Sequence, residues 1–180
     1  MTEIKNAAAL INTPTRRQVG TVIAMVLGCL AAGPRAAAEQ TMQEIPATAA
    51  NKTRTSLHED IDIKASPQRI YEALLDAKQF AAFTGRPAEI GPKAGGAFSM
   101  FGGSIVGRNI ELVPGQRIVQ AWRPTHWDPG IYSIVKFELK SQGYVTTVVL
   151  DHKGFPEGDF DSLDSGWHAH YWEPLKKFLA

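Results

Sequence analysis

The residues most able to do chemistry are polar side chains that strand patterning turns toward an apolar interior. Glu59 falls on the same face of a predicted strand as Leu57 and Ile61, because alternate residues of a strand share a face. By the same alternation, Gln120 and His152 share faces with apolar neighbours in two later strands. A few convergent polar groups in an apolar cavity orient a ligand, which predicts that role for these three side chains. The alternative is that Glu59 and His152 lie at strand ends and reach solvent.

Aromatic side chains could form the apolar wall of such a cavity. Strand alternation puts Phe98 and Met100 on one face. Trp127 lies between His126 and Asp128 in a loop rich in proline and glycine, which we interpret as the mouth of the cavity, since no third group completes an acid/base site. The predicted wall and mouth residues are Phe98, Met100, Trp122, Trp127, Trp167 and Tyr171. The alternative for any single member of this set is ordinary hydrophobic core.

The residue pattern does not predict a metal site or a catalytic group. His168 and His170 are two residues apart on a predicted helix, so they point about 200° apart and do not readily share an ion. His170 and Glu173 do share a face, which predicts a surface contact between them. No glycine-rich phosphate motif precedes a helix, and no Ser-His-Asp spacing stands out. We therefore expect no catalytic residue, metal or cofactor, and binding rather than turnover.

One α+β domain, predicted over 55–180, positions these residues. A half-buried strand around Leu57–Ile63 is followed by Ser66 and Pro67, which are typical of a helix start, and by helices over Gln68–Ala77 and Lys78–Thr84. Glycine-containing turns then separate a series of short alternating strands. Those strands are predicted over Ala97–Phe101, Ser104–Val113, Arg117–Arg123, Ile131–Lys140 and Tyr144–Lys153.

A long amphipathic helix is predicted at the C-terminus. The apolar residues there fall at spacings of four, four, three and one and so line one helical face, which has to be buried: Trp167, Tyr171, Leu175, Phe178 and Leu179. The concave face of a curved antiparallel sheet is the surface available to cover it. A cavity left between the sheet and this helix would be the binding site. Pro174 predicts a kink within the helix.

The N-terminal residues have the pattern of an export signal. Arg16 and Arg17 precede an apolar run over Val19–Ala32, and Ala36–Ala38 provides an Ala-x-Ala end with predicted cleavage after Ala38. The paired arginines resemble a twin-arginine signal, with the general secretory route as the alternative. A lipoprotein signal ending at Cys29 is a further alternative. We expect a periplasmic or secreted protein.

The segments around this signal predict no membrane anchor. The apolar run has fourteen residues, fewer than the roughly 20 that span a bilayer, so no stable membrane span is expected after cleavage. Residues 39–54 are polar and without periodicity, which predicts a flexible linker.

Charge and composition restrict the classes of partner. The 180 residues are 44% hydrophobic, enough for a sizeable core, and 19 Lys and Arg residues nearly balance 18 Asp and Glu residues. No polybasic run is present, which argues against a nucleic-acid partner or an anionic membrane surface. The single cysteine excludes a disulfide framework within the chain.

Ordered landmarks along 55–180 resemble a known family. They are Gly95-Gly96-Ala97-Phe98, Leu112-Val113-Pro114, Trp122-Arg123, Trp127-Asp128-Pro129-Gly130, Gly154-Phe155-Pro156 and Gly166-Trp167. Together they resemble the C-terminal domain of the activator of Hsp90 ATPase, in the START/Bet v 1-like (SRPBCC) superfamily. The resemblance implies a helix-grip fold, a curved antiparallel sheet wrapped around a long C-terminal helix, with two short helices after the first strand.

The resemblance leaves several functions open, because this superfamily places co-chaperones, lipid carriers and a few enzymes on one scaffold. We expect the chain to act outside the cytoplasm where Hsp90 resides, and without the separate N-terminal domain through which eukaryotic activators mainly engage the chaperone. The leading hypothesis is an exported, non-enzymatic binding protein for a small hydrophobic or amphipathic molecule. The alternatives are a protein-interaction module resembling the co-chaperone domain, and a hydrolase or cyclase of the same superfamily.

Overall fold

The computed structural model describes residues 51–180, which form an antiparallel sheet of seven strands covered by helices. The strands are β1 (Ser56–Ile63), β2 (Glu89–Ile90), β3 (Ala97–Met100), β4 (Ile105–Val113), β5 (Arg117–Pro124), β6 (Ser133–Gln142) and β7 (Val145–Lys153). The helices are α1 (Pro67–Leu75), α2 (Ala77–Thr84), α3 (Phe160–Gly166), a π-helical segment (Trp167–Trp172) and α4 (Glu173–Leu179). The predicted helix-grip α+β fold is confirmed.

The sheet has the order β1-β7-β6-β5-β4-β3-β2. The first strand therefore pairs with the last one, while the other strands form a meander of sequential neighbours. In this register Leu57 pairs with His152 and Glu59 with Leu150. The inner faces of the strands carry the buried apolar side chains, among them Ile118, Val135 and Leu150, against which the helices pack.

Local sequence accounts for the two short helices. The Ser66 hydroxyl accepts a hydrogen bond from the Arg69 backbone N–H at 3.3 Å, and Pro67 occupies the first turn. Asp76 ends α1 and caps α2, since its carboxylate accepts from the Lys78 and Gln79 N–H groups. The predicted first helix extends to Ala77. The observed one ends two residues earlier because the Asp76 cap needs extended backbone, which breaks the helix there.

The C-terminal helix is continuous over Phe160–Leu179 but contains one widened turn. The backbone N–H of Glu173 bonds the carbonyl of His168, five residues back, at the end of the π-helical segment. Pro174 follows at once in the first turn of α4. Proline has no N–H to donate, and its ring clashes with the carbonyl four residues before it in a regular α-helix. The observed helix thus has a π-helical turn just before Pro174, at the place where the sequence predicts a kink.

The start of β6 and the presence of β2 differ from the sequence prediction. β6 begins at Ser133, so Ile131 and Tyr132 lie in the preceding loop and are exposed. The two-residue strand β2 was not predicted, because two residues carry no detectable alternation.

The end of the predicted linker contacts the domain. The Asn51 side chain donates to Asp161, the Lys52 carbonyl accepts from the Gly158 N–H, and Arg54 stacks over the Phe160 ring at 3.6 Å. The predicted export signal and the rest of the linker lie outside the described residues.

Candidate functional site

A cavity of about 470 Å³ lies between the C-terminal helix and the ends of β4 and β5. Its inner wall is built from buried, mostly aromatic side chains, and its rim from exposed residues, many of them polar. The wall residues are Phe101, Trp122, Pro124, Leu163, Trp167 and Tyr171. The rim residues are Arg86, Ser104, His126, Ser162, Ser165, Ala169 and His170. An apolar interior with a polar mouth suits an amphipathic molecule.

Two polar atoms in the wall have no protein partner. The indole N–H of Trp122 and the hydroxyl of Tyr171 are buried and form no hydrogen bond of normal geometry, although they lie close enough to each other to interact weakly. The pKa of Tyr171 is raised because burial disfavours its charged form, and a weak hydrogen-bonding interaction with the Trp122 side chain partly opposes this effect. An unsatisfied buried polar group destabilises a protein by about 1–3 kcal/mol. A ligand oxygen could accept from the indole N–H and bond the hydroxyl, which would remove this cost.

The aromatic wall is held in place by a buried hydrogen-bonded chain. Trp167 Nε1 donates to His152 Nδ1 at 3.1 Å, so the proton of the neutral imidazole is on Nε2, which donates to Ser133 Oγ at 2.7 Å. Ser133 in turn donates to the Trp122 carbonyl at 3.0 Å. Burial lowers the pKa of His152 to about 3, which keeps the ring neutral. His152 therefore positions Trp167 from behind the wall instead of facing the cavity.

Ring packing completes the wall. Trp122 and Trp167 are stacked with their centroids 5.8 Å apart, and Tyr171 lies 4.4 Å from Trp167. Phe101 meets Tyr171 edge-on at 5.2 Å. It is the one described non-glycine residue with positive φ, at 54°, and so occupies a strained position where functional residues are often found. Its place between Met100 and two glycines was the signal that could have identified it from sequence.

Three other predicted ligand-binding residues, the orienting Gln120 and the wall residues Phe98 and Met100, lie elsewhere. Gln120 is buried and donates to Asn109 at 2.9 Å, and Asn109 donates to the Gly91 carbonyl, so this amide pair fixes the β4–β5 region. Phe98 packs on Gly107, where a Cβ would lie 2.3 Å from its ring. Met100 is buried core. None of these three residues lines the cavity.

Trp127 supports the mouth from the side. Its indole N–H donates to the carboxylate of Asp159, its carbonyl accepts from Arg123, and its ring meets Trp122 edge-on at 6.1 Å. His126, next to it, is at the rim. At the same rim the His170 ring lies beside the Phe101 ring, with the two centroids 6.2 Å apart. The sequence predicts a contact of His170 with Glu173 instead.

Glu59 lies apart from the cavity, under the opposite side of the C-terminal helix. Its Oε2 accepts from Trp172 Nε1 at 2.8 Å, while its Oε1 is buried without a partner. The pKa of Glu59 is raised, mainly by burial and further by the nearby Asp164, against the lowering effects of Trp172 and His168. Glu59, Asp164 and His168 bring their ligand atoms within 4.8 Å of one another and could hold a metal ion. The sequence did not reveal this convergence.

The family model described as Activator of Hsp90 ATPase homolog 1-like protein matches residues 64–180. The chain belongs to this family. An activator of 90 kDa heat shock protein ATPase homolog from Dictyostelium discoideum is 32% identical over 116 residues, which are 64% of this chain and 30% of that protein. The human homolog 1 is 28% identical over 112 residues, 62% of this chain and 33% of that protein. The match thus spans about a third of the length of these relatives.

Solved structures support the fold of this family member. An HSP90 activator from Plasmodium falciparum has a TM-score of 0.67 at 27% identity, covering 70% of this chain and 96% of that chain. The Aha1 dimer from Colwellia psychrerythraea has a TM-score of 0.59 at 22% identity, covering 70% and 96%. CalU16 from Micromonospora echinospora has a TM-score of 0.60 at 19% identity, covering 69% and 76%. Within residues 51–180, no helix is both long and apolar enough to cross a membrane.

Proposed function

We propose that this chain binds a small amphipathic molecule in the cavity between its sheet and its C-terminal helix. The observation that carries the proposal is the pair of buried, unpartnered polar groups, Trp122 Nε1 and the Tyr171 hydroxyl, in an otherwise apolar wall. Such a pair suits a ligand with an apolar body and an acceptor oxygen, such as a carbonyl or carboxylate. Burial of the apolar body would contribute roughly 25 cal/mol per Å² of surface.

The architecture favours binding over chemistry. His152, the buried histidine nearest the wall, is engaged on both nitrogens, by Trp167 and by Ser133. Trp122 and Tyr171 can donate a hydrogen bond but are weak proton-transfer groups near neutral pH, since the Tyr171 pKa is raised further by burial. These features support a carrier or sensor more than the hydrolase or cyclase alternative.

Native mass spectrometry of the purified chain, followed by solvent extraction, tests the proposal. A stoichiometric added mass that is lost in Tyr171→Phe, with the fold retained by circular dichroism, is the expected result. Tyr144→Phe is the matched control, because Tyr144 is 97% exposed and does not line the cavity. The ligand-binding proposal is contradicted if the purified protein carries no added mass and acquires none from lipid and metabolite extracts.

A matched pair of probes tests the role of the acceptor oxygen. 2-Acetonaphthone and 2-ethylnaphthalene have nearly the same shape but differ by a carbonyl in place of a methylene. We expect the ketone to bind at least tenfold more tightly, as measured by quenching of tryptophan fluorescence, and Tyr171→Phe to reduce that preference. Equal affinity of the two probes would contradict a role for the unpartnered donors.

A protein-interaction module is the second candidate function, favoured by relatives that are named as Hsp90 activators. The loop before β6 and the start of that strand expose apolar side chains that a partner could cover, since Ile131, Tyr132 and Ile134 are 39%, 47% and 44% exposed. If this function holds, the chain would stimulate the ATPase of a purified bacterial Hsp90, and Tyr132→Ser with Ile134→Ser would abolish stimulation. Absence of stimulation by the intact chain would reject this candidate.

We also propose that the chain is exported and acts in the periplasm or outside the cell. The support is the sequence pattern alone, with paired arginines, a short apolar run and an Ala-x-Ala end at Ala38. These residues lie outside the described part of the chain.

A further inference from the structure

A cluster of two carboxylates and one imidazole lies where the C-terminal helix crosses the edge strand β1. Glu59 comes from β1, while Asp164 from α3 and His168 from the π-helical segment are four residues apart and converge on it. None of the three lines the apolar cavity, which opens on the other side of the same helix. The cluster is thus separate from the site of the proposed function.

The carboxylate of Glu59 is held rigidly but is incompletely satisfied. Trp172 is fully buried and donates its indole N–H to Oε2 at 2.8 Å, which fixes the orientation of the carboxylate. The Glu59 side chain is only 10% exposed, and its Oε1 is buried without a partner. Buried carboxylates in proteins are normally paired, neutralised or coordinated to a metal, so the unused oxygen is an acceptor that a further partner could take.

No lysine or arginine of residues 51–180 supplies that partner, since the only basic side chain within 4.0 Å of the Glu59 carboxylate is His168. Its Nε2 lies 3.6 Å from Glu59 Oε2, the oxygen that also accepts from Trp172, and this distance is longer than a hydrogen bond. Ligand atoms about 2.1 Å from a tetrahedral metal ion are separated from each other by roughly 3.4 Å. The observed spacing is close to that separation.

We propose that Glu59, Asp164 and His168 bind a divalent transition-metal ion such as Zn²⁺. Imidazole nitrogen with carboxylate oxygen is a ligand set that zinc accepts, whereas an oxygen-only set would favour calcium or magnesium. The three ligand atoms lie within 4.8 Å of one another, so side-chain adjustments of about an ångström would close the site. Trp172 acts as an orienting residue behind the ligand, as hydrogen-bonded partners of metal ligands commonly do.

Isothermal titration of the purified full chain with zinc chloride, after chelator treatment and dialysis, tests the proposal. We expect one saturable equivalent, and at least a tenfold loss of affinity in each of Glu59→Gln, Asp164→Asn and His168→Ala. Glu59→Gln keeps an oxygen that can accept from Trp172, which limits damage to the fold. Cobalt substitution provides a second readout, because tetrahedral Co²⁺ with a nitrogen and oxygen ligand set gives visible absorption that His168→Ala should remove.

His58→Ala is the matched control. His58 is another exposed histidine, on β1, and it too lies beside two carboxylates, at 3.7 Å from Asp60 and 2.9 Å from Asp151. We expect this variant to bind zinc as the unaltered chain does. Circular dichroism checks that each variant is folded, and zinc should raise the melting temperature of the unaltered chain but not that of His168→Ala.

Three results would overturn the proposal. They are the absence of saturable zinc binding at millimolar zinc, binding that is lost in His58→Ala instead of His168→Ala, and binding that all variants retain. Each result bears on this site alone, because the mass-spectrometric test of the apolar cavity uses none of these residues.

Discussion

Trp167 Nε1 donates a hydrogen bond to His152 Nδ1 at 3.1 Å, and both side chains are almost completely buried. This contact ties the C-terminal helix to β7 directly behind the cavity wall. Because Nδ1 accepts, the imidazole must remain neutral for the contact to persist. Protonation of His152 would break the bond and place a charge in the core.

The first prediction is that His152 makes the stability of the protein depend on pH. Its pKa is lowered from 6.5 to about 3 in the folded state, so between these values the unfolded state binds more protons. The free energy of unfolding should therefore fall as the pH decreases through this window, by about 2 kcal/mol between pH 7 and pH 5. Urea unfolding at a series of pH values measures this change.

His152→Gln isolates this contribution. Glutamine can still bond Ser133 but does not titrate, so the variant should lose less stability than the unaltered chain between pH 7 and pH 5. Above pH 7 the two curves should run parallel. An identical pH dependence in both proteins below pH 7 would show that His152 is not the titrating group.

The second prediction concerns the unpartnered hydroxyl of Tyr171. Tyr171→Phe removes a buried polar atom that has no hydrogen bond of normal geometry, so it should raise the free energy of unfolding of the ligand-free protein by about 1 kcal/mol. The same variant should bind ligand more weakly, so this substitution is expected to increase stability and to decrease ligand affinity. Denaturant unfolding measures the first effect, and a loss of stability greater than about 1 kcal/mol would indicate that the hydroxyl is bonded in the native state.

The third prediction compares two glycines of opposite environment. A Cβ at Gly107 would lie 2.1 Å from the Ala121 carbonyl oxygen and 2.3 Å from the Phe98 ring, so Gly107→Ala should destabilise the protein by about 1–3 kcal/mol. Gly166 has helical backbone angles, and no atom lies within 4 Å of the position that an alanine methyl group would take there, so Gly166→Ala should stabilise the protein by roughly 0.5–1 kcal/mol. Equilibrium unfolding measures the change in the free energy of unfolding for both variants. Equal changes in the two variants would contradict the close packing described around Gly107.

The fourth prediction concerns the export route. Replacing Arg16 and Arg17 together by lysine should keep the precursor in the cytoplasm if the paired arginines direct twin-arginine export, while Arg35→Lys should leave export unchanged. Cell fractionation with N-terminal sequencing measures this, with Glu39 expected as the first residue of the exported form. Export of the double lysine variant would instead indicate the general secretory route.

Much of the fold could be predicted from local patterns. Alternation identified β1 and the longer meander strands, Ser66 and Pro67 marked the start of α1, and the apolar face from Trp167 to Leu179 identified the C-terminal helix. These signals are local because backbone geometry imposes periods of 2 and 3.6 on buried side chains. The π-helical turn before Pro174 has no such signature.

The candidate sites were only partly predictable. Alternation assigned Gln120 and His152 correctly to the interior, but both are bonded within the core, to Asn109 and to Trp167 with Ser133. Which buried polar groups are left without a partner depends on neighbours that long-range strand pairing provides. Spacing along the chain could not show that Trp122 and Tyr171 are among the unpartnered ones.

The sequence by itself determined the family, the α+β fold and the aromatic face of the terminal helix, since these follow from local periodicity and ordered motifs. Only the tertiary structure decided which aromatic residues face the cavity, and only it brought Glu59 beside Asp164 and His168. The physical reason is that the antiparallel pairing of β1 with β7 and the crossing of the last helix join residues far apart in the chain. No local period records such a contact.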